Sequence, residues 1–212
     1  MIRLYFDTET TGFPRKSDAP IETQPHIVQL AALLIDDTEG EIASMNVIIR
    51  PVGWTIPDEV AEIHGITQEK AEKFGVRIEQ AMGVFYDFCN AADEAVAHNI
   101  AFDAKLVAIE FERAALSDRL NLMSQFCTML ATTDRCKLPG KYGKYKWPKL
   151  IEAHQVLFGC GFDNAHDALA DVRACARIHR AILDEKMMGA EVAATLPEFT
   201  AAIPAYQEES VI

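Results

Sequence analysis

The hydrophobic residues of this chain follow two spacings, which divide it into strand-like and helix-like segments. Three apolar, β-rich runs come first, and the polar residues Asp37-Thr38-Glu39-Gly40 between the second and the third predict a hairpin. From residue 78 to residue 91 the apolar positions recur every three or four residues, as on the buried face of a helix. The pattern predicts a three-stranded meander followed by alternating helices and strands, which is an α/β fold.

The predicted elements and domain have the following bounds. Strands are expected at 2–7, 26–36, 41–50, 94–99 and 120–126, and helices from 57 and 67 and over 78–91, 100–115, 127–131, 147–158 and 168–188. Gly65 is expected to end the first helix in the left-handed conformation, and Asn99 to cap the start of the fourth. Residues 189–212 are only weakly periodic. We therefore expect a domain over 1–188 and a C-terminal tail that is a short helix or partly disordered.

Composition limits the class of protein. The chain has 212 residues, half of them hydrophobic, which is enough for one domain with a proper core. No apolar run has the length of a membrane span, and the N-terminus lacks the regions of a signal peptide, so we expect a cytoplasmic protein without a membrane partner. The five cysteines are odd in number and include no C-x-x-C pair, which argues against a zinc ribbon and a disulfide framework.

Charge is unevenly distributed along the chain. The formal net charge is −12, which by itself argues against contact with nucleic acid. The segment from Arg135 to Lys149, called the basic segment below, nevertheless contains six basic residues and no acidic residue. Tyr142, Tyr145 and Trp147 are interleaved with its lysines. Positive charge and aromatic rings together suit the binding of single-stranded nucleic acid, although lysine runs are also common on plain solvated surfaces and Trp147 could belong to the core.

Acidic residues form a suggestive pattern at the end of the first strand. Side chains alternate between the two faces of a strand, so Asp7 and Glu9 project from the same side. Two carboxylates on one face repel each other unless a positive charge lies between them, and a hard divalent cation with oxygen ligands supplies that charge. Asp103 and Asp171 fall in the first turns of predicted helices, and His166 precedes Asp171 by five residues.

The four acidic residues and the histidine are expected to form one site. If the predicted strands pair side by side, the strand end and the helix starts that carry the four carboxylates converge at one edge of the sheet. Such a group suits two Mg²⁺ or Mn²⁺ ions, which stabilise the attacking and leaving oxygens of a phosphoryl displacement when they are about 3.5–4 Å apart. A histidine such as His166 can take the proton from the attacking water near pH 7.

Three motifs in order give the chain a family resemblance. They are Phe6-Asp7-Thr8-Glu9-Thr10-Thr11-Gly12, His98-Asn99-Ile100-Ala101-Phe102-Asp103 and His166-Asp167-Ala168-Leu169-Ala170-Asp171, with His64-Gly65-Ile66-Thr67 between the first two. In these motifs residues 2–185 resemble the DEDDh exonucleases, the 3′→5′ exonuclease family that includes the proofreading subunit of bacterial DNA polymerase III. The resemblance implies a ribonuclease H-like α/β fold: a five-stranded mixed sheet with strand two antiparallel and helices on both faces.

The resemblance also implies a catalytic role for each of five residues. Asp7, Glu9, Asp103 and Asp171 would be the ligands of two Mg²⁺ or Mn²⁺ ions, and His166 would be the general base. Four carboxylates and one histidine are all present in the sequence, so the motifs give no sign of an inactive enzyme.

Further residues are candidates for substrate contact. By the same resemblance, His64 would lie beside the 3′ nucleotide and Ile66 would wedge against a base or sugar, unless His64 is an ordinary helix-end histidine. Threonine hydroxyls, one aromatic ring and two lysines of the basic segment could also contact the strand. These residues are Thr8, Thr10, Thr11, Phe102, Lys141 and Lys144. The threonines could instead only favour the extended backbone, and Phe102 could belong to the core.

Two other residues inside the motifs are expected to be structural. His98 lies at a strand end, and since the motifs already supply a base at His166, we expect it to hold the fold together. Asp167 directly precedes the last helix, where an aspartate commonly caps the first turn.

The motifs predict a metal-dependent 3′→5′ exonuclease that releases nucleoside 5′-monophosphates from single-stranded or mispaired 3′ ends of DNA, in replication or repair, with a DNA polymerase as a candidate partner. An RNA-trimming exonuclease similar to ribonuclease T or oligoribonuclease is an alternative, and it would need a contact to the 2′-hydroxyl. A third interpretation is a polymerase-associated subunit or adaptor whose tail is the functional surface. No clamp-binding motif is apparent in residues 189–212, which weakens this interpretation.

Overall fold

The centre of the fold is a five-stranded mixed sheet. The computed structural model describes residues 1–16, 18–163 and 167–195. The strands are β1 (Ile2–Thr10), β2 (Ile27–Asp36), β3 (Gly40–Ile48), β4 (Glu94–Ala97) and β5 (Ser124–Cys127). Their spatial order is β3-β2-β1-β4-β5; β2 runs antiparallel to β1 and β3, and β4 runs parallel to β1 and β5. The ribonuclease H-like fold and the three-stranded meander are thereby confirmed.

Helices connect and cover the strands. In the described residues they are α1 (Asp58–His64), α2 (Gln68–Phe74), α3 (Ile78–Ala91), α4 (Ile100–Arg113), α5 (Thr128–Cys136), α6 (Leu150–Phe158) and α7 (Ala168–Thr195). Gly65 ends α1 with a φ of 70°, the left-handed conformation that a residue without a Cβ adopts at little cost. The side chain of Thr67 accepts a hydrogen bond from the Lys70 backbone N–H and so caps the start of α2.

Each face of β1 packs against its own hydrophobic cluster. Leu4 and Phe6 belong to the cluster that includes residues of α3 and α4, where the rings of Phe6 and Phe85 lie 5.4 Å apart. Tyr5 points to the opposite face and belongs to the cluster that includes Val172 of α7. The alternation along β1 therefore fixes which helix each of its later side chains meets.

Several element boundaries differ from the sequence prediction. β1 extends to Thr10 rather than ending at residue 7, because Glu9 and Thr10 still pair with β2. The stretch predicted as a strand at 120–126 begins with a 3₁₀ turn, since the Met123 N–H donates to the Leu120 carbonyl, and only Ser124–Cys127 is extended. The helical turn predicted at 127–131 continues to residue 136 as α5.

Asn99 is the N-cap residue of α4, as predicted, but its side chain does not cap the helix. Asn99 occupies the position before α4, but its backbone is left-handed with a φ of 74° and its side chain makes no capping hydrogen bond. Asparagine tolerates this conformation better than most residues, so what the position requires is a backbone turn between β4 and α4.

Contacts divide the chain into two compact units, Met1–His179 and Arg180–Ile212. The first contains the whole sheet. In the second, Arg180 Nε donates to Asp184 Oδ1 at 3.0 Å. The last helix runs to Thr195 rather than ending near residue 188. The division at residue 188 stays a prediction, and residues 196–212 of the expected tail lie outside the described residues. None of the helices in the described ranges combines the length and the hydropathy that crossing a membrane requires.

Candidate active site

The end of β1 presents side chains of different chemistry to the two faces of the sheet. Asp7 and Glu9 share the face of Tyr5, which is the face covered by α7, because side chains alternate along a strand. Thr8 lies on the other face, where it meets Asp103 of α4. The first motif thus ends between two helix starts, those of α4 and α7.

Three of the four predicted metal ligands form one cluster. Asp7, Glu9 and Asp171 are half-buried, and each offers a carboxylate oxygen such that the three oxygens lie within 4.8 Å of one another. Oxygen ligands of Mg²⁺ lie about 2.0–2.1 Å from the ion, so two oxygens on one ion are separated by at most roughly twice that distance. Small adjustments of the side chains would therefore let all three bind one ion.

Burial and mutual repulsion both disfavour the charged forms of the cluster. Burial raises the pKa of Asp7 well above its ordinary value, and the charges of the three other carboxylates of the site add to this effect. Burial, and then the charges of neighbouring aspartates beginning with Asp171, raise the pKa of Glu9 from 4.5 to about 8. In the part of the chain that the structure describes, the charged groups that act on these two side chains are all acidic.

Asp103, the fourth predicted ligand, is buried on the α4 side of the strand and held by Thr8. The Thr8 backbone N–H donates to Asp103 Oδ1 at 3.1 Å, and the Thr8 hydroxyl donates to the same oxygen at 2.7 Å. Burial raises the pKa of Asp103, and the two bonds from Thr8 partly oppose this because they stabilise the charged form. The hydroxyl of Thr8 therefore positions a candidate ligand, in contrast to the substrate contact predicted from the sequence.

The four carboxylates fit a hard divalent cation. Their donors are all oxygens, which Mg²⁺ and Mn²⁺ prefer. Buried carboxylates that only repel one another ionise at neutral pH when a positive charge lies between them. Asp7, Glu9 and Asp171 would bind the metal from the α7 side, and Asp103 from the α4 side.

The start of α7 places Asp167 and Asp171 of the third motif at this edge of the sheet. Asp167 Oδ1 accepts hydrogen bonds from the backbone N–H groups of Leu169 and Ala170, both at 3.2 Å, so its predicted capping role is confirmed. This cap fixes the first turn of the helix, which presents Asp171 to the cluster. His166 lies outside the described residues, so its role as general base stays a prediction.

The segment between α1 and α2 packs against β2, next to Gln29, the residue that pairs with Glu9. Ile66 contacts the cluster around Val28, and the next residue along β2, Gln29, pairs with Glu9. His64 Nδ1 accepts a hydrogen bond from the Ile66 N–H at 3.2 Å, so the neutral ring carries its proton on Nε2. Burial lowers the pKa of His64, which favours that neutral ring, and within the described residues its buried Nε2 has no hydrogen-bond partner. A buried donor of this kind is suited to a substrate oxygen.

The remaining predicted substrate residues have different environments. The side chain of Ile66 is only 2% exposed, so it would have to move before it could wedge against a base. The Thr10 hydroxyl donates to the Gly12 carbonyl at 2.9 Å and shapes the loop after β1. The ring of Phe102 is half-buried and meets the ring of Phe13 edge-on at 5.8 Å. Phe13 is 85% exposed, and sequence reasoning missed it although an aromatic residue directly after the motif glycine was a readable signal.

The basic segment begins in the last turn of α5 and continues as a mostly exposed loop with a short 3₁₀ turn at Lys141–Gly143. Lys141 and Lys144 are exposed, the side chain of Tyr142 is 98% exposed and that of Trp147 is 65% exposed. Trp147 is therefore on the surface and not in the core. Lys146 is partly neutralised because its Nζ lies 2.6 Å from an oxygen of Glu152.

His98 connects this segment to the sheet. Its Nδ1 lies 2.9 Å from the Thr128 hydroxyl, and its Nε2 lies 2.9 Å from the Pro148 carbonyl. Both ring nitrogens are engaged, and burial lowers the pKa of His98, as expected for a structural residue. The contact holds the end of the basic segment beside the end of β4, at the edge of the sheet that carries the carboxylates.

The fold and this carboxylate edge define a nuclease of the ribonuclease H-like class, and comparisons with known proteins specify its family. The model of the RNase_T family, described as "Exonuclease", matches residues 4–179. The chain belongs to this exonuclease family, whose members are 3′→5′ exonucleases of the DEDDh group and use divalent metal ions. The uncharacterized exonuclease CP81 of Escherichia phage 186 is 29% identical over 185 residues, covering 81% of this chain and 82% of that protein.

Solved structures of exonuclease I share the fold. E. coli exonuclease I in complex with a dT13 oligonucleotide superposes with a TM-score of 0.69 at 18% identity, over 91% of this chain and 43% of that one. The zinc-bound E. coli ExoI–ssDNA complex gives a TM-score of 0.68 at 20% identity, over 91% and 42% of the two chains. Exonuclease I of Methylocaldum szegediense gives a TM-score of 0.69 at 23% identity, over 91% of this chain and 43% of that one. The chain thus spans less than half the length of these enzymes.

Proposed function

We propose that this chain removes nucleoside 5′-monophosphates from the 3′ end of single-stranded DNA, using divalent ions bound by four carboxylates. The observation that carries this proposal is the group at the end of β1, where the oxygens of Asp7, Glu9 and Asp171 lie within 4.8 Å of one another and Asp103 approaches from α4. Family membership supports the exonuclease chemistry, and exonuclease I, which shares the fold, is described in complex with DNA oligonucleotides.

The residues of the candidate site have distinct roles in this proposal. Divalent ions, when bound, polarise the scissile phosphate and stabilise charge on the attacking and leaving oxygens. The four carboxylates would bind those ions, and the two hydrogen bonds from Thr8 would fix the orientation of Asp103. His166, as predicted from the sequence, would accept the proton of the attacking water. His64 would donate from Nε2 to an oxygen of the terminal nucleotide.

The strand would approach across an aromatic and basic surface. Phe13 and Phe102 offer ring faces and edges next to the first motif, and base stacking on such rings is tolerant of sequence. Lys141 and Lys144 would neutralise phosphates further along the strand, and the exposed ring of Trp147 would offer a stacking surface. Because the rest of the chain is acidic, we expect binding to be weak and sensitive to salt. The most specific version of the proposal is proofreading or repair beside a DNA polymerase.

A labelled oligonucleotide and its RNA counterpart test the proposal. We expect the wild-type protein with Mg²⁺ or Mn²⁺ to convert a 5′-labelled DNA strand into a descending ladder and to release 5′-mononucleotides. Asp7→Asn should give no ladder, whereas Asp87→Asn, a change of an exposed acid on α3, should leave it intact. A faster RNA ladder would replace DNA by RNA as the substrate. No ladder on either strand from folded wild-type protein would contradict the proposal and favour the adaptor interpretation.

A further inference from the structure

We propose that a second cleft, away from the carboxylate cluster, binds a nucleotide unit through its base and its phosphate. The cleft has a volume of about 410 Å³ and lies between the start of β2, the segment after β3 and the helices α3 and α4. Volumes of about 300–1,000 Å³ are typical of small-ligand sites. The inference rests on the proposed function, since that function supplies the class of ligand.

The cleft has an apolar floor and an aromatic wall. Ile27 and Ile49 are fully buried and form the floor with Ile78. His26 and Trp54 line the wall, and their rings are stacked with 4.6 Å between centroids and 5° between planes. A flat, preformed aromatic surface above aliphatic side chains is suited to a nucleobase, because stacking needs no rearrangement of the protein.

Charged side chains surround this apolar floor. Arg50, Arg77 and Arg113 line the cleft with two acids, Glu79 and Glu110, so the cleft carries one more positive than negative side chain on a chain whose net charge is −12. Arg50 is exposed, and among the described residues its side chain has no assigned acidic partner. A guanidinium without a carboxylate partner is well suited to a phosphate, which it can bind through two hydrogen bonds.

The interior of the cleft is preorganised by Arg113. This side chain donates to the carbonyls of Ile21, Gln24 and Pro25 and to Glu110 Oε1, all at 2.8 Å. Glu110 Oε1 also accepts from the Ile27 backbone N–H at 3.2 Å. In the described part of the chain all hydrogen bonds to Glu110 thus fall on Oε1. Its second oxygen is an acceptor to which the exocyclic amino group of adenine, cytosine or guanine can donate.

The cleft is attached directly to the loop of the first motif. The Thr11 N–H donates to the His26 carbonyl, and the His26 N–H donates to the Thr11 hydroxyl oxygen, both at 2.9 Å. The wall residue His26 is therefore fixed to the loop that follows Glu9. This attachment favours an occupant that also belongs to the reaction, either the released nucleotide or a nucleotide of the bound strand.

Direct binding of dAMP tests the assignment without any need for turnover. Asp7→Asn protein with Trp147 replaced by Phe leaves Trp54 as the one tryptophan, and EDTA removes metal from the carboxylate cluster. We expect dAMP to change the Trp54 fluorescence in a saturable way. Arg50→Glu should weaken this binding by about ten- to a hundredfold, since it removes a charge-assisted hydrogen bond and adds repulsion. The matched control Arg180→Glu, which changes another exposed arginine, should not.

The comparison of ligands decides between the possible outcomes. Binding of dAMP should be tighter than that of deoxyadenosine or inorganic phosphate alone, and tighter than that of dTMP, which lacks an amino group. Equal binding of phosphate and dAMP would reduce the cleft to an anion pocket and overturn the assignment. No saturable response to dAMP, or a response that Arg50→Glu preserves, would overturn it as well. A DNA ladder from the wild-type protein with Mg²⁺ or Mn²⁺ would then show that the proposed exonuclease function is unaffected.

Kinetics distinguish the two sources of the nucleotide. If the cleft takes part of the bound strand, Arg50→Glu should raise KM for long oligonucleotides and leave KM for a dinucleotide unchanged. If it takes the free product, the variant should have normal KM for both lengths and lose the response of the rate to added dAMP. Either result supports a nucleotide site, and a variant that equals the wild type in both respects contradicts it.

Discussion

Replacing Thr8 with valine tests whether Asp103 contributes to metal binding. The change keeps the shape of the side chain and removes the hydroxyl that donates to Asp103 Oδ1 at 2.7 Å. The second bond to the same oxygen, from the Thr8 backbone N–H at 3.1 Å, remains. Both residues are buried, so water cannot readily replace the lost donor.

The size of the effect follows from the strength of that one bond. A hydrogen bond to a charged group contributes about 1.5–3 kcal/mol. Because one pKa unit corresponds to about 1.36 kcal/mol, its loss should raise the pKa of Asp103 by about one to two units. The metal concentration needed for half-maximal rate should then rise by about ten- to a hundredfold, as is usual when a residue that orients a metal ligand is changed. The rate at saturating metal should be largely recovered.

Titration of the exonuclease rate with Mn²⁺ at several pH values measures this. The Mn²⁺ concentration that Thr8→Val needs for half-maximal rate should approach the wild-type value as the pH rises, because deprotonation of Asp103 then becomes complete. Thr132→Val is the matched control: it also removes a buried hydroxyl, which donates to the Thr128 carbonyl at 2.7 Å within α5, far along the chain from the motifs. An unchanged Mn²⁺ requirement in Thr8→Val, or an equal shift in Thr132→Val, would refute the reasoning.

Three further predictions concern turnover, pH and substrate affinity. Asp7→Asn should reduce turnover below detection while leaving the metal-free protein at least as stable as the wild type, since one repelling charge is gone; activity near wild type would contradict this. Because the pKa of Glu9 is raised from an ordinary 4.5 to about 8 in the folded protein, the stability that protonated Glu9 contributes to the metal-free protein should be complete below about pH 4.5 and be lost as the pH rises through about 8. Mn²⁺ should restore the lost stability, and thermal unfolding in EDTA and in Mn²⁺ measures both effects. Replacing Lys141 and Lys144 with alanine should raise KM more than it lowers kcat and reduce the slope of log KM against log salt by about 1.4, and an unchanged KM would assign these lysines to plain surface.

The sequence was sufficient to predict the sheet and the convergence of Asp7, Glu9 and Asp171 at one edge of it. Strand period places Asp7 and Glu9 on one face without further knowledge, and the helix starts that carry Asp103 and Asp171 follow from the order of elements. Asp167 could be assigned as a helix cap because capping is a local interaction between residues two or three positions apart.

Contacts between distant segments could not be predicted in the same way. The hydrogen bonds from Thr8 to Asp103 join residues 95 positions apart, so the sequence could not show that this threonine faces a carboxylate. The substrate role expected for Ile66 stays a prediction, but the sequence could not show that this side chain packs against Val28 and is buried. Asn99 was expected to cap α4, but the chain reversal after β4 requires a left-handed backbone there. The second cleft also depends on four separate segments that only the fold brings together.

The number of Mn²⁺ ions bound to the chain tests the central claim most directly, because the account depends on metal held by the carboxylates at the end of β1. Equilibrium dialysis at a pH above about 8, where Glu9 is ionised, should find two Mn²⁺ per wild-type chain and at most one in Asp7→Asn. Asp87→Asn, with its exposed acid on α3, should keep the wild-type number. Equal binding by wild type and Asp7→Asn would contradict the account, since the metal would then lie somewhere other than the cluster of Asp7, Glu9 and Asp171.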